Sequence, residues 1–201
     1  MCFSKVKEKV VPTKTIEELI AEKSVGMTDE QKAQFWYELS QSAFSLLGKV
    51  DTTIYEIQTS TWLKTAQTQY QFLTDVKLAD DLFYVPDEIG MSDILKHDWT
   101  NLITYIPNKN DCDDFAARLY DHLVTYYGIT GIIPVWGDSS AGYHAFNLAV
   151  LKNNDQSGAE LPWIARLIEP QTDSIFTEQG PLGKYIPKEI VKQFGILKKE
   201  I

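Results

Sequence analysis

The sequence predicts an α+β domain, in which one amphipathic helix packs on a small antiparallel sheet. Apolar side chains recur every four residues from Phe115 to Tyr127 and predict a helix over 112–127, which Gly128 ends. Three apolar segments separated by turn residues then predict strands at 132–136, 143–151 and 163–168. Because helices come first and neighbouring strands follow, the order favours α+β over a doubly wound sheet.

Helical patterns also precede this domain. Two capping-box pairs, each a Thr followed three residues later by Glu or Gln, predict helices at about 16–24 and 29–47. Residues 51–74 favour a helix, although their threonines leave a strand open. Shorter helices are predicted near 92–97 and 188–194. We therefore expect an N-terminal helical segment over 1–75 and the α+β domain over 76–201.

The charge balance limits the classes of partner. The chain has 19 Lys and Arg against 28 Asp and Glu, a net charge of −9. An acidic chain is repelled by phosphate backbones, so nucleic acid is excluded as an expected partner, whereas a divalent cation suits this balance. The sequence contains no apolar stretch long enough to span a membrane, and Lys5, Lys7 and Glu8 interrupt any signal peptide. A cytoplasmic protein is the default expectation; a virion location stays open, and no feature indicates an oligomeric state.

Cys112 is the candidate nucleophile, because it lies in the first turn of its predicted helix, where unpaired N–H groups and the helix dipole favour a thiolate. His144 follows a Gly-rich turn at the start of a strand, and Glu169 ends the next strand. Antiparallel pairing would bring Glu169 beside His144, where a carboxylate can orient the imidazole. His122 is ten residues along the same helix as Cys112, roughly 15 Å away, and is out of reach. His97 stays open.

Three carboxylates, Asp111, Asp113 and Asp114, surround the thiol. Acidic residues at a helix start commonly cap the helix and pair with its dipole. Three carboxylates also oppose ionisation of a neighbouring thiol by like-charge repulsion, which a bound cation would relieve. Hard cations such as Ca²⁺ prefer carboxylate oxygens, so Ca²⁺ or a similar divalent ion is the expected cofactor, and zinc is not.

Three blocks of sequence carry a family resemblance, over about residues 76–180. They are Asn110-Asp111-Cys112-Asp113-Asp114-Phe115-Ala116, then Gly142-Tyr143-His144-Ala145-Phe146-Asn147, then Leu167-Ile168-Glu169-Pro170-Gln171. Together they resemble the papain-like C-terminal domain of the fungal Marasmius oreades agglutinin and related phage and bacterial domains. The first two blocks are also similar to bacterial transglutaminase-like cysteine peptidases.

This resemblance implies a papain-like fold and proteolysis dependent on calcium or a similar ion. It implies that Cys112 is the nucleophile, His144 the base and Glu169 the orienting acid. Asp113 and Asp114 would be metal ligands, with Asp111 as a further candidate. The sugar-binding β-trefoil of the agglutinin is replaced here by a helical segment, so sugar targeting is not implied. Asn108 and Asn110 are the nearby amides, but neither is assigned to an oxyanion hole.

Three functions therefore stay open. The first is a cysteine hydrolase acting on a protein or peptide, and the second is an acyl transferase in which an amine replaces water on the same thioester. The third is a non-catalytic structural or binding module that retains the fold. Three aromatic side chains either line a ligand cleft or belong to the core: Trp136, Tyr143 and Trp163.

Overall fold

A computed structural model gives the fold of the chain. It describes residues 25–28, 31–32, 35, 50–73, 78, 80–107, 110–154 and 162–191. The helix predicted at 16–24 lies outside the described residues, as does nearly all of the one at 29–47. The expected boundary at residue 75 therefore stays a prediction.

Helices and short strands alternate in the first described half. Strand β1 (Tyr55–Gln58) runs directly into helix α1 (Thr59–Gln69), and strand β2 (Leu82–Val85) pairs antiparallel with β1. Helix α2 (Glu88–Leu95) and a 3₁₀ turn (Thr100–Leu102) lead to helix α3 (Cys112–His122). The residues after α3 form a π-helical turn (Leu123–Tyr127), which ends at Gly128 with a left-handed φ of 70°.

A five-stranded antiparallel sheet forms the second half, and it confirms the predicted α+β class with a Cys-bearing helix packed on the sheet. The strands are β3 (Ile132–Ser139), β4 (Gly142–Lys152), β5 (Trp163–Glu169), β6 (Ser174–Phe176) and β9 (Ile186–Ile190). Their order across the sheet is β6-β5-β4-β3-β9. A separate small hairpin joins β7 (Gln179–Gly180) to β8 (Gly183–Lys184).

Two of the predicted helices differ from the structure. The segment 51–74 begins as strand β1, because its exposed and buried residues alternate against β2, and only then becomes helix α1. The helix predicted near 188–194 is wrong over 188–190, where strand β9 lies instead; residues 192–194 lie outside the described residues. There Ile190 lies opposite Val135 and Glu189 opposite Trp136 at the edge of the sheet. Tertiary pairing therefore overrides local propensity in this segment.

The sheet separates two apolar clusters, because side chains alternate between its faces. Phe146, Leu148 and Val150 face the cluster that contains Trp62 of α1. Ala149 and Leu151 face the cluster built from α2 and α3. Asn147, fully buried between these residues, donates from Nδ2 to the Ala116 carbonyl at 2.9 Å and so fixes α3 to β4. The elements that carry Cys112 and His144 are thereby held to one another.

Trp62 is the largest side chain of the first cluster, and its replacement tests this packing. It is fully buried, its Nε1 donates to the Gly131 carbonyl at 3.0 Å, and its ring meets Phe83 edge to face. We expect Trp62→Phe to lower the free energy of unfolding by about 2 kcal/mol, because it removes a buried donor and leaves a void. Urea denaturation monitored by circular dichroism measures this change. An unchanged urea midpoint for Trp62→Phe would contradict the role of Trp62 in this cluster.

Among the described residues, none of the helices combines the length and the apolar character needed to cross a bilayer.

Candidate active site

Cys112 is the first residue of helix α3 and is partly buried. Its helix begins with a capping box, in which the Asp111 backbone N–H donates to the Asp114 carboxylate at 3.3 Å. The N–H groups of the first turn of a helix have no acceptor within the helix. The thiol therefore lies where the helix dipole stabilises an anion.

His144 and Glu169 are brought together by the register of β4 and β5. Asn147 lies opposite Ile168, so one step further along the ladder Glu169 comes opposite Phe146, on the same face as His144. Diagonal neighbours on one face of an antiparallel pair are within reach of long side chains. Accordingly, His144 Nε2 and Glu169 Oε2 lie 2.7 Å apart in a buried ion pair.

The ring of His144 hydrogen-bonds Glu169, and Cys112 lies close enough to the ring to act on its pKa. Burial acts to lower the pKa of His144, but its interactions with Cys112 and Glu169 outweigh it and raise the pKa to about 9. The imidazole is therefore an imidazolium at neutral pH. This arrangement can hold a thiolate–imidazolium pair.

Glu169 is itself fixed by two further donors. The Tyr185 hydroxyl donates to Oε2 at 2.9 Å, and the Gln171 backbone N–H donates to Oε1 at 3.2 Å. The carboxylate is 1% exposed, so these bonds, with His144, account for its burial as a charged group. Tyr185 was missed by the sequence reasoning, because no motif surrounds it and only the return of the chain after β8 brings it to Glu169.

The other two histidines take no part in this arrangement. His97 is exposed, and its Nδ1 lies 2.9 Å from the Asp93 carbonyl of its own helix. His122 is buried and pairs through Nδ1 with the carboxylate of Asp98. The Asp98–His122 pair was also missed by the sequence reasoning, since the two residues are 24 positions apart and belong to no recognised pattern.

The three aspartates at the thiol lie close together. One carboxylate oxygen from each of Asp111, Asp113 and Asp114 lies within 4.8 Å of the others. A hydrogen bond with Asp111, burial and the charges of Asp111 and Asp114 together raise the pKa of Asp113 to about 6. The donor chemistry would suit a hard cation. However, Asp113 shares a hydrogen bond with Asp111, and Asp111 and Asp114 form the capping box of the helix, so contacts within the protein already account for the cluster.

Two of the three aromatic candidates lie near Cys112. Trp136 and Cys112 pack against the same buried patch of Ala116, Ala145 and Val191. Tyr143 stacks on Trp136, with the ring centroids 5.4 Å apart and the ring planes 3° from parallel. Trp163 does not join them: it lies opposite Lys152 at the far end of β4 and packs on the first apolar cluster.

The nearby asparagine side chains are the first candidates for an oxyanion donor. Asn110 is buried and its Oδ1 accepts from Arg118 at 2.8 Å, while Asn108 lies outside the described residues. The backbone N–H of Cys112 belongs to the first turn of α3, whose donors lack intrahelical acceptors. It is therefore the donor that the fold offers beside the thiol.

Comparison with solved structures shows the fold. The chain is similar to a structure titled "PSL1a-E64 complex", with a TM-score of 0.52 and 19% identity over 66% of this chain. It is equally similar to Polyporus squamosus lectin bound to the human-type influenza-binding epitope Neu5Aca2-6Galb1-4GlcNAc, with a TM-score of 0.51 and 19% identity. The chain spans about half the length of each, since it covers 49% of both. No family model and no curated protein sequence matches it.

These neighbours correct one sequence-based prediction. The expectation of a calcium-dependent thiol peptidase of phage or bacterial type is wrong by this comparison, because the second neighbour is named as a lectin and neither is named as a hydrolase. The resemblance to a fungal agglutinin is supported only as a similarity to a fungal lectin at low identity. What the comparison shows for this chain is a shared α+β fold.

Proposed function

We propose that the chain performs acyl transfer through a thioester on Cys112. The observation that carries this proposal is the buried His144–Glu169 pair, whose ring lies close enough to Cys112 for the thiol to raise the pKa of the imidazole. Cysteine nucleophiles are activated in this way, by a neighbouring imidazole that a third group orients.

The chemistry follows from the charges of the three residues. The thiolate attacks a carbonyl carbon, and a carbon–sulfur bond forms while the bond to the leaving group breaks. The imidazolium of His144 gives its proton to that leaving group and becomes neutral. It can then take a proton from the second nucleophile, which attacks the thioester and releases Cys112. Glu169 stays ionised throughout and positions the ring.

The alkylation rate of Cys112 tests this proposal. We expect iodoacetamide to modify Cys112 at pH 7 about tenfold faster than it modifies free cysteine, because a few per cent of an ordinary thiol is ionised at that pH. Intact-protein mass spectrometry follows the adduct, and Cys112→Ala, which retains Cys2, shows the background. An adduct formed no faster than on free cysteine would rule out an activated thiolate.

A binding module without covalent chemistry is the second candidate. The neighbours favour it over a peptidase, because one is named as a lectin and its title gives a bound sialylated epitope. The acidic character of this chain argues against an anionic sugar as the ligand, since its net charge is −9. Calorimetric titration of Cys112→Ala with Neu5Acα2-6Galβ1-4GlcNAc separates the two: saturable binding, together with an ordinary alkylation rate in the unsubstituted protein, would favour the module.

A further inference from the structure

The surface next to Cys112 combines exposed aromatic area with negative charge. We call the stacked pair Trp136 and Tyr143 the aromatic shelf. Its inner member is partly buried against the patch that also supports Cys112, and its outer member, Tyr143, is 53% exposed. A tyrosine that faces solvent over half its surface, beside a nucleophile, offers the face of its ring to a ligand.

Glu189 gives this shelf a charge. It lies opposite Trp136 on the neighbouring strand β9, and its carboxylate accepts a hydrogen bond from the Tyr143 hydroxyl. Both side chains are exposed. Within the described ranges, the ion pairs of Lys and Arg go to other carboxylates, at Asp93, Glu88, Glu178 and Asp138. Among the residues that the structure describes, the Glu189 charge therefore lies at the edge of an aromatic surface with no Lys or Arg ion-paired to it.

The aspartates that follow the thiol in sequence add to the same negative potential. Asp113 and Asp114 follow Cys112 directly in the first turn of α3 and are only partly buried. A positive group near Cys112 would be attracted both to these aspartates and to Glu189.

We infer that the aromatic shelf and Glu189 form a subsite for a positively charged group, an ammonium or guanidinium, on the ligand that Cys112 attacks. Stacking on Tyr143 would supply a cation–π contact, and Glu189 would supply the counter-charge. This inference rests on the proposed function, because it names the ligand class of the same thiol. Such a subsite would make Cys112 react faster with acyl compounds that carry a positive charge than with neutral ones.

Two matched alkylating reagents test charge separately from size. One is iodoacetamide carrying a 2-(trimethylammonio)ethyl group on nitrogen, and the other carries the isosteric neutral 3,3-dimethylbutyl group. We expect the cationic reagent to modify Cys112 about tenfold faster than the neutral one at low salt, since clustered charge raises the local concentration of counter-ions. The ratio should fall toward one as the salt concentration rises.

Substitutions then assign the preference to this subsite. Glu189→Gln keeps an acceptor for Tyr143 and removes the charge, and Tyr143→Leu removes the ring face; each should reduce the rate ratio about threefold. Glu56→Gln makes the same charge change on the exposed face of β1 and should leave the ratio unaltered. The rate with plain iodoacetamide, measured on every variant, shows that the thiol and its surroundings are intact.

These measurements test the cationic subsite separately from the activated thiol on which it depends. Slow reaction with plain iodoacetamide in the unsubstituted protein overturns the activated thiol and the subsite together. Fast reaction with equal rates for the two isosteres overturns the subsite alone. A cationic preference that survives in both the Glu189 and Tyr143 variants also overturns it, since the selectivity would then come from elsewhere.

Discussion

Replacing His144 by alanine is expected to slow the alkylation of Cys112 at pH 7 by about tenfold. Without the imidazolium the thiol loses its ion-pair partner, and only a few per cent of an ordinary thiol is ionised at that pH. An imidazolium partner increases the fraction of reactive thiolate, and the lower nucleophilicity of a stabilised thiolate offsets part of that gain.

The pH profile gives this prediction a second readout. Between about pH 6 and 8, the rate for His144→Ala should rise more steeply with pH than the rate for the unsubstituted protein, because the variant lacks the imidazolium that pairs with a thiolate. His97→Ala is the matched control, since that ring is exposed and contacts only its own helix among the contacts seen. Identical profiles for His144→Ala and the unsubstituted protein would mean that the ring does not activate the thiol.

Replacing Glu169 by glutamine is expected to bring the pKa of His144 from about 9 toward its ordinary value of about 6.5. The change removes a buried negative charge 2.7 Å from Nε2 and leaves a side chain of similar shape. Below about pH 6.5, where the ring is charged, we expect the free energy of unfolding to fall by about 2 kcal/mol, because a charge-assisted hydrogen bond is lost in a buried site. The His144 ring protons, followed by NMR through a pH titration, report the pKa directly.

The sign of the pH dependence follows from the direction of that shift. The folded protein holds the His144 proton more tightly than the unfolded chain does. The pair therefore contributes its full stability below about pH 6.5, and the contribution is lost as the pH rises through about 9. Asp173, whose pKa burial and the Asp98 charge raise to about 8, titrates in the same window, so the informative quantity is the difference between Glu169→Gln and the unsubstituted protein.

Two controls make this result specific. Tyr185→Phe removes the other side-chain donor to Glu169 and keeps the carboxylate, so the pKa of His144 should stay raised. Glu56→Gln removes a carboxylate from an exposed strand and should change neither the pKa nor the stability. A variant at Glu169 that leaves the pKa of His144 near 9 would contradict the account.

The parts of the site that sequence could predict are those set by local patterns. The helix start places Cys112, and the alternation of β4 and β5 fixes which faces His144 and Glu169 share, so their approach follows from register. Tyr185 could not be predicted in the same way. It reaches Glu169 only after the chain has formed β6 and the β7–β8 hairpin, and no local pattern encodes that path.

The failed helix at 188–194 has a similar cause. Residues 188–190 form part of an edge strand because β3 offers a partner there, and an isolated segment of sequence does not reveal such a partner. For the aspartate cluster, the sequence predicts the position of the residues but not their role. The sequence places Asp111, Asp113 and Asp114 together, but their composition alone does not decide between a helix cap and a cation site.

The segment Tyr185–Val191 has a consequence for how the protein is made. Its Tyr185 hydroxyl donates to Glu169, and its Glu189 carboxylate accepts from the Tyr143 hydroxyl. Its Val191 belongs to the buried patch against which Cys112 packs. Cys112 leaves the ribosome more than seventy residues before Val191. A nascent chain therefore carries its thiol without these supports while that stretch is made, because β9 can pair with β3 only after it has been synthesised. The candidate site is consequently complete only after this long-range strand pairing has formed.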